Sequence, residues 1–208
     1  MIAGNVARPL LTPCGRGGPG DGDRGGRWPL RTVTSADGPD EAAGWRFAPA
    51  GGLEWLTCDA LAALPGLVHA FTTRRGGVSA PPFDTLNLGL HVGDDAGAVR
   101  ANRARLAAAL DLEAAAFVFA AQVHGRAVAV VGAADRGRGA DDAATAMPGC
   151  DGLATAAPGV ALVVLAADCA TVVLADPVRR TAAAVHAGWR GTVAGAAGAA
   201  VAALVGLG

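Results

Sequence analysis

The chain has 208 residues, of which 52% are hydrophobic and 17% charged, with a formal net charge of −1. That length suits one ordinary domain and is enough to bury a substantial core. The near-neutral charge and the lack of a basic stripe argue against a nucleic-acid binder. Apolar runs are strand-sized and broken by Gly, Asp or Pro, well short of the roughly 20 residues of a membrane helix, so no membrane span is expected. No basic start leads into a sustained apolar stretch, which makes the cytoplasm the expected compartment. Cys14, Cys58, Cys150 and Cys169 are far apart, without a C-x-x-C pair, and read as reduced thiols.

Residues 1–45 differ from the rest. CGRGGPGDGDRGGRWP has no apolar periodicity and too little hydrophobic surface to offset its ordering entropy, so this segment is expected to be a disordered or non-native extension. The folded domain, 46–208, is expected to start near Trp45. Leu67–Thr73 reads as a strand, ended by the glycine turn Arg74–Gly77. The paired prolines of Pro81–Asn87 demand a loop. Asp94 or Asp95 can cap a helix over Ala96–Leu110 that aligns Val99, Leu106 and Leu110.

Phe117–Val123 and Ala127–Val131 then read as a hairpin around Gly125-Arg126, followed by a polar loop over Gly132–Gly149. Gly152–Thr155, Val160–Ala166, Thr171–Ala175 and Thr181–Val185 are short, apolar and bounded by turn residues. Val160–Ala166 lacks polar alternation, as in a strand buried on both faces. After Trp189 an Ala-rich run to Leu207 reads as helix, weakened by Gly195 and Gly198 at about 1 kcal/mol each. There is no internal repeat. The pattern predicts a mixed α/β fold, a single layered domain with a mixed central sheet.

His124, Cys169 and His186 each follow an apolar strand, and the mouths of strands are where ligands bind in α/β sheets. Two imidazoles and a thiolate suit zinc, with a fourth position left for water or substrate. Taken singly, a buried Cys is more often a small hydrophobe and a strand-end His more often structural. Their spacing matches no local metal motif, so residue pattern alone leaves both readings open.

The strings FTTRRGGVSAPPFDTLNLGLHVGDD, QVHG, CDGLAT, LAADC, VLADP and AVHAGWRGT resemble the laccase-domain family, the multicopper polyphenol oxidoreductases, over roughly residues 65–195. Members have been described as purine nucleoside phosphorylases and as a peptidoglycan editing factor. The resemblance implies a zinc enzyme that cleaves adenosine, inosine, guanosine or methylthioadenosine with phosphate and deaminates adenosine. It implies His124, Cys169 and His186 as the metal ligands. Family members continue past the last helix, so it also implies that the C-terminal part of the family fold is missing here.

The remaining roles are read from chemistry. Arg190, at the start of the last helix, is a candidate phosphate ligand, and Arg74 or Arg75 another group facing the site. Asp168 is a candidate proton carrier, or a hydrogen-bonding support for His124 or His186. Gln122 and Asn87 are candidate substrate contacts, His91 a weaker one, His69 a structural histidine and Cys150 a spare thiol. Expected partners are a small-molecule nucleoside and phosphate; nothing speaks to oligomeric state. Two alternatives stand beside the phosphorylase: a copper-loaded phenol oxidase, and a quality-control protein with a structural metal whose fourth ligand would be Cys150 or Asp168. A type 1 copper joined to a three-copper cluster needs more histidines than the four present. The H-x-E and P-C-x-x-C signature of cytidine-deaminase zinc sites is absent.

Overall fold

The computed structural model describes residues 3–9, as backbone, and 44–208. Its strands fall into two sheets of mixed orientation. The larger contains β1 (Ala3–Pro9), β2 (Trp45–Ala50), β3 (Leu53–Cys58), β4 (Leu67–Thr72), β5 (Phe117–Ala121), β7 (Met147–Pro148) and β9 (Ala161–Ala166), in the order β2-β3-β4-β1-β9-β5-β7. The smaller contains β6 (Val128–Val130), β8 (Gly152–Thr155), β10 (Ala170–Asp176) and β11 (Thr181–Ala187), in the order β10-β11-β8-β6. A short helix, α1 (Asp59–Ala62), joins β3 to β4. The longer helices are α2 (Ala96–Ala109), α3 (Trp189–Ala194) and α4 (Ala196–Gly206).

Strand alternation builds the layers. Phe117 and Phe119 of β5, with Ala161, Val163 and Leu165 of β9, face outward onto a core that includes Leu106 and Ala107 of α2. Their neighbours Val118, Leu162 and Val164 point the other way and meet Leu153 of β8 and Ala184 of β11 between the sheets. Ala154, Ala183 and Val185, on the far face of the smaller sheet, pack against Ala196, Ala200 and Leu204 of α4. The order is helix, sheet, sheet, helix. β9 is covered on both sides, which is why it shows no polar alternation.

The mixed α/β class is as expected, and so are the strands from Gly152 onward and the Asp95 cap, whose side chain accepts from Ala98 N at 2.7 Å. Several features differ. The expected hairpin around Gly125-Arg126 does not form, because β5 belongs to the larger sheet and β6 to the smaller. The last helix is broken at Gly195, whose φ of +86° is left-handed, whereas Gly198 is accommodated inside α4. β2 and β3 had no counterpart in the sequence reading. The expected extension over 1–45 includes β1, which pairs antiparallel with β4 and β9; residues 10–43 lie outside those described.

His69 is buried in β4, and its Nε2 accepts from Cys58 N at 2.8 Å, the structural role expected for it. Burial, and secondarily the charge of Arg46, lower its pKa, so the folded protein keeps it neutral. Its stabilising contribution is full above the unfolded value of about 6.5 and is lost as pH falls through the folded value. The urea midpoint is expected to fall between about pH 7.5 and 5, and to fall less in His69→Gln.

Candidate metal centre

Two crossings between the sheets bring the candidate ligands together. β5 and β9 are parallel neighbours, so their C-terminal ends emerge at the same edge. Residues 122–127 then lead from β5 to β6, and residues 167–169 from β9 to β10. His124 lies in the first crossing and Cys169 ends the second. On β11, His186 sits opposite Thr171 in the β10–β11 register, two residues beyond Cys169. One ligand atom from each of His124, Cys169 and His186 lies within 4.8 Å of the others. The two imidazoles meet edge to face, with ring centroids 4.9 Å apart. His186 is buried, Cys169 half-buried and His124 exposed.

A buried carboxylate holds this arrangement. Asp151, immediately before β8, is fully buried. It accepts from the backbone N–H groups of Val123, His124 and Gly125 at 3.2, 2.9 and 2.7 Å. Its Oδ1 also lies 2.9 Å from His186 Nδ1. Burial alone would raise the Asp151 pKa, but the His186 ring and the three amides outweigh it and hold the carboxyl below its ordinary value. The support considered for Asp168 is thus supplied, for His186, by Asp151. Asp168 is exposed, on the cavity wall beside Cys169. His124 has a φ of +60°, a left-handed conformation that costs a non-glycine residue on the order of 1–3 kcal/mol. The Asp151 bond to its N–H holds it there.

Gly188 closes the site from below. A Cβ added there would lie 3.1 Å from Cys169 Sγ and 3.4 Å from both His124 Cδ2 and His186 Cε1. The three ligands therefore surround a space that no side chain fills. Two imidazoles and a thiolate fit a borderline-soft divalent ion. Among the described residues only these three donors converge, so a bound ion keeps an open position. Cys150 is no fourth ligand: its buried thiol donates to Met147 O, and burial raises its pKa.

A cavity of about 630 Å³ opens onto the trio, within the range of small-molecule sites. Gln122, Asp168 and His91 line it. The Gln122 amide is engaged by the backbone of Leu165, donating to its O and accepting from its N, both at 2.7 Å. Asn87, Arg74 and Arg190 lie off the cavity wall. Asn87 is 3% exposed and bonds to Gly89 and Asp94. Arg74 bonds to Asp84, beside Arg75, at a separate shallow pocket. The Arg190 guanidinium sits over the Trp189 ring, 4.7 Å from its centroid.

Sequence reasoning missed Asp151 and Arg103. Arg103 lines the cavity, 4% exposed, 3.7 Å over the Phe119 ring. It donates to the carbonyls of Leu88, Gly139 and Ala140. Burial pulls its pKa down to about 10, and it stays charged at neutral pH. Its signal was a cation on the apolar stripe of α2, four residues after Val99; that of Asp151 was a charge wedged between Cys150 and the apolar GLA of β8.

These features define a mixed α/β protein with a His-Cys-His centre at the seam of two sheets. The sequence profile of the multi-copper polyphenol oxidoreductase laccase family matches residues 68–207, and the chain belongs to that family. It is 46% identical over 144 residues to the purine nucleoside phosphorylase YlmD of Geobacillus stearothermophilus, covering 69% of this chain and 52% of that protein. It is 53% identical over 148 residues to the purine nucleoside phosphorylase ORF3 of Streptomyces griseus, covering 71% of this chain and 58% of that one. Among solved structures, the hypothetical protein YfiH of Bacillus licheniformis superposes with a TM-score of 0.70 at 37% identity, covering 76% of this chain and 58% of that chain. The chain thus spans little more than half the length of these relatives.

Substituting Gly188→Ala should weaken Zn²⁺ binding by about tenfold or more, because the new methyl group displaces Sγ. Competition with a chromogenic chelator reads the change, with circular dichroism confirming an intact fold.

Proposed function

We propose that this chain carries the zinc centre of a purine nucleoside phosphorylase, acting on adenosine, inosine, guanosine or methylthioadenosine, with adenosine deamination as a side activity. The observation that carries this reading is the open His124–Cys169–His186 site at the end of a nucleoside-sized cavity, in a chain 46–53% identical to proteins named purine nucleoside phosphorylases. Bound there, zinc supplies Lewis-acid polarisation at its free position. In phosphorolysis the bond from the ribose C1′ to the purine nitrogen breaks, a phosphate oxygen bonds to C1′, and the departing base takes a proton. The Asp168 carboxyl, exposed on the cavity wall beside Cys169, is the group proposed to relay that proton, taking it up from solvent water and passing it to the departing base. Arg103 is the permanent cation on the wall among the described residues, and its field favours an anionic co-substrate. Apolar walls from Phe119, Leu165 and Pro148 suit a purine.

The test is chromatography of adenosine incubated with zinc-loaded protein, with and without phosphate. Adenine released only with phosphate, and lost in Cys169→Ala, is the expected result, and inosine would report the deamination. A chain that holds stoichiometric zinc and releases no base would overturn the proposal. Oxygen uptake that follows bound copper and ignores phosphate would favour a phenol oxidase.

A further inference from the structure

We propose that Asp151 is the positioning residue of this centre: one buried carboxylate orients His186 and holds the His124 loop, so two of the three ligands depend on it. This rests on reading His124, Cys169 and His186 as a metal site, whatever reaction the site serves.

The division of labour between its oxygens carries the argument. Oδ1 accepts from His124 N and faces His186 Nδ1, each at 2.9 Å. Oδ2 accepts from Gly125 N at 2.7 Å and Val123 N at 3.2 Å. An ionised carboxylate only accepts, so His186 must donate from Nδ1, which leaves the Nε2 lone pair as its ligand atom. The backbone of Asp151 is pinned as well, donating to Ala127 O at 2.9 Å and accepting from His186 N at 2.7 Å. The carboxylate is therefore a fixed point to which the ring of one ligand and the backbone of another are both referred. Asp168 lacks this placement, being exposed although next to Cys169 in sequence.

An isosteric amide cannot reproduce the set. If the –NH₂ of Asp151→Asn replaces Oδ2, it opposes the N–H groups of Val123 and Gly125. If it replaces Oδ1, it opposes His124 N and removes the acceptor that keeps His186 protonated on Nδ1. The first orientation unpins both flanks of the His124 loop, and the second loses the contacts to both histidines.

Zn²⁺ affinity is measured by chelator competition on the unaltered chain, Asp151→Asn and Asp168→Asn, alongside ¹⁵N NMR of the histidine rings in the metal-free unaltered chain. The expectation is a loss of about 10- to 100-fold in Asp151→Asn, and less than about twofold in Asp168→Asn. His186 should appear as the Nδ1–H tautomer. A folded Asp151→Asn with unchanged affinity, or a predominant Nε2–H tautomer in the unaltered chain, would overturn the positioning role. The tautomer decides the matter even where Asp151→Asn does not fold. An unaltered chain that binds no Zn²⁺ yet shows the Nδ1–H tautomer would sink the metal reading instead.

Discussion

The site depends on one buried carboxylate. An isolated charge in the position of Asp151 would be strongly disfavoured, since desolvation penalises the ionised form. Three amides and an imidazole N–H on its two oxygens offset that penalty and turn it into geometry. The same bonds hold His124 in a left-handed conformation and fix which nitrogen of His186 is left for a ligand. The segments they join come from different parts of the chain: the 122–127 crossing, the start of β8 and the end of β11.

That convergence follows from how the sheets are connected. Because β5 and β9 are parallel neighbours and both lead into the smaller sheet, their exits share an edge, and His124 and Cys169 share it with them. The third ligand arrives through pairing. Gly152 lies opposite Val185 and Thr171 opposite His186, which sets Asp151 and Cys169 on either side of His186. A one-residue slip in either pairing would turn His186 to the opposite face of the sheet. The small side chains of β11, Ala182 to Ala184, let the facing layers approach closely and keep this register buried. Gly188 then gives the ligand atoms room that any side chain would occupy.

The family description speaks of several coppers, whereas the described residues bring together one set of three donors. Of the four histidines, His69 is committed to the backbone of Cys58, leaving His91 as the only other imidazole near the cavity. The proposed reading needs only one open ion beside this apolar cavity and its buried guanidinium, a setting that would suit group transfer to an anionic acceptor. It has no second metal site for a multi-electron relay among the described residues.

Much of this was legible in the sequence because it is local. Alternation and apolar runs marked the strands from β8 to β11, Asp94 or Asp95 marked the start of α2, and two histidines and a cysteine at strand ends, together with the family motifs around them, pointed to a metal. What failed was nonlocal. Gly125-Arg126 carries the local marks of a hairpin turn, yet the strands it separates belong to different sheets, and no short-range pattern encodes sheet membership. Asn87, Arg74 and Arg190 had the right chemistry for substrate, but hydrogen bonding and position in the fold place them off the cavity. Asp151 went unmarked, because its worth lies in partners 26 to 35 residues away. The sequence by itself determined the fold class and marked His124, Cys169 and His186 as candidate metal donors, since periodicity, family motifs and side-chain chemistry are properties of short segments. Only the tertiary structure decided which carboxylate orients them and which cation lines the cavity, because burial and hydrogen-bond partners exist only once distant segments have packed.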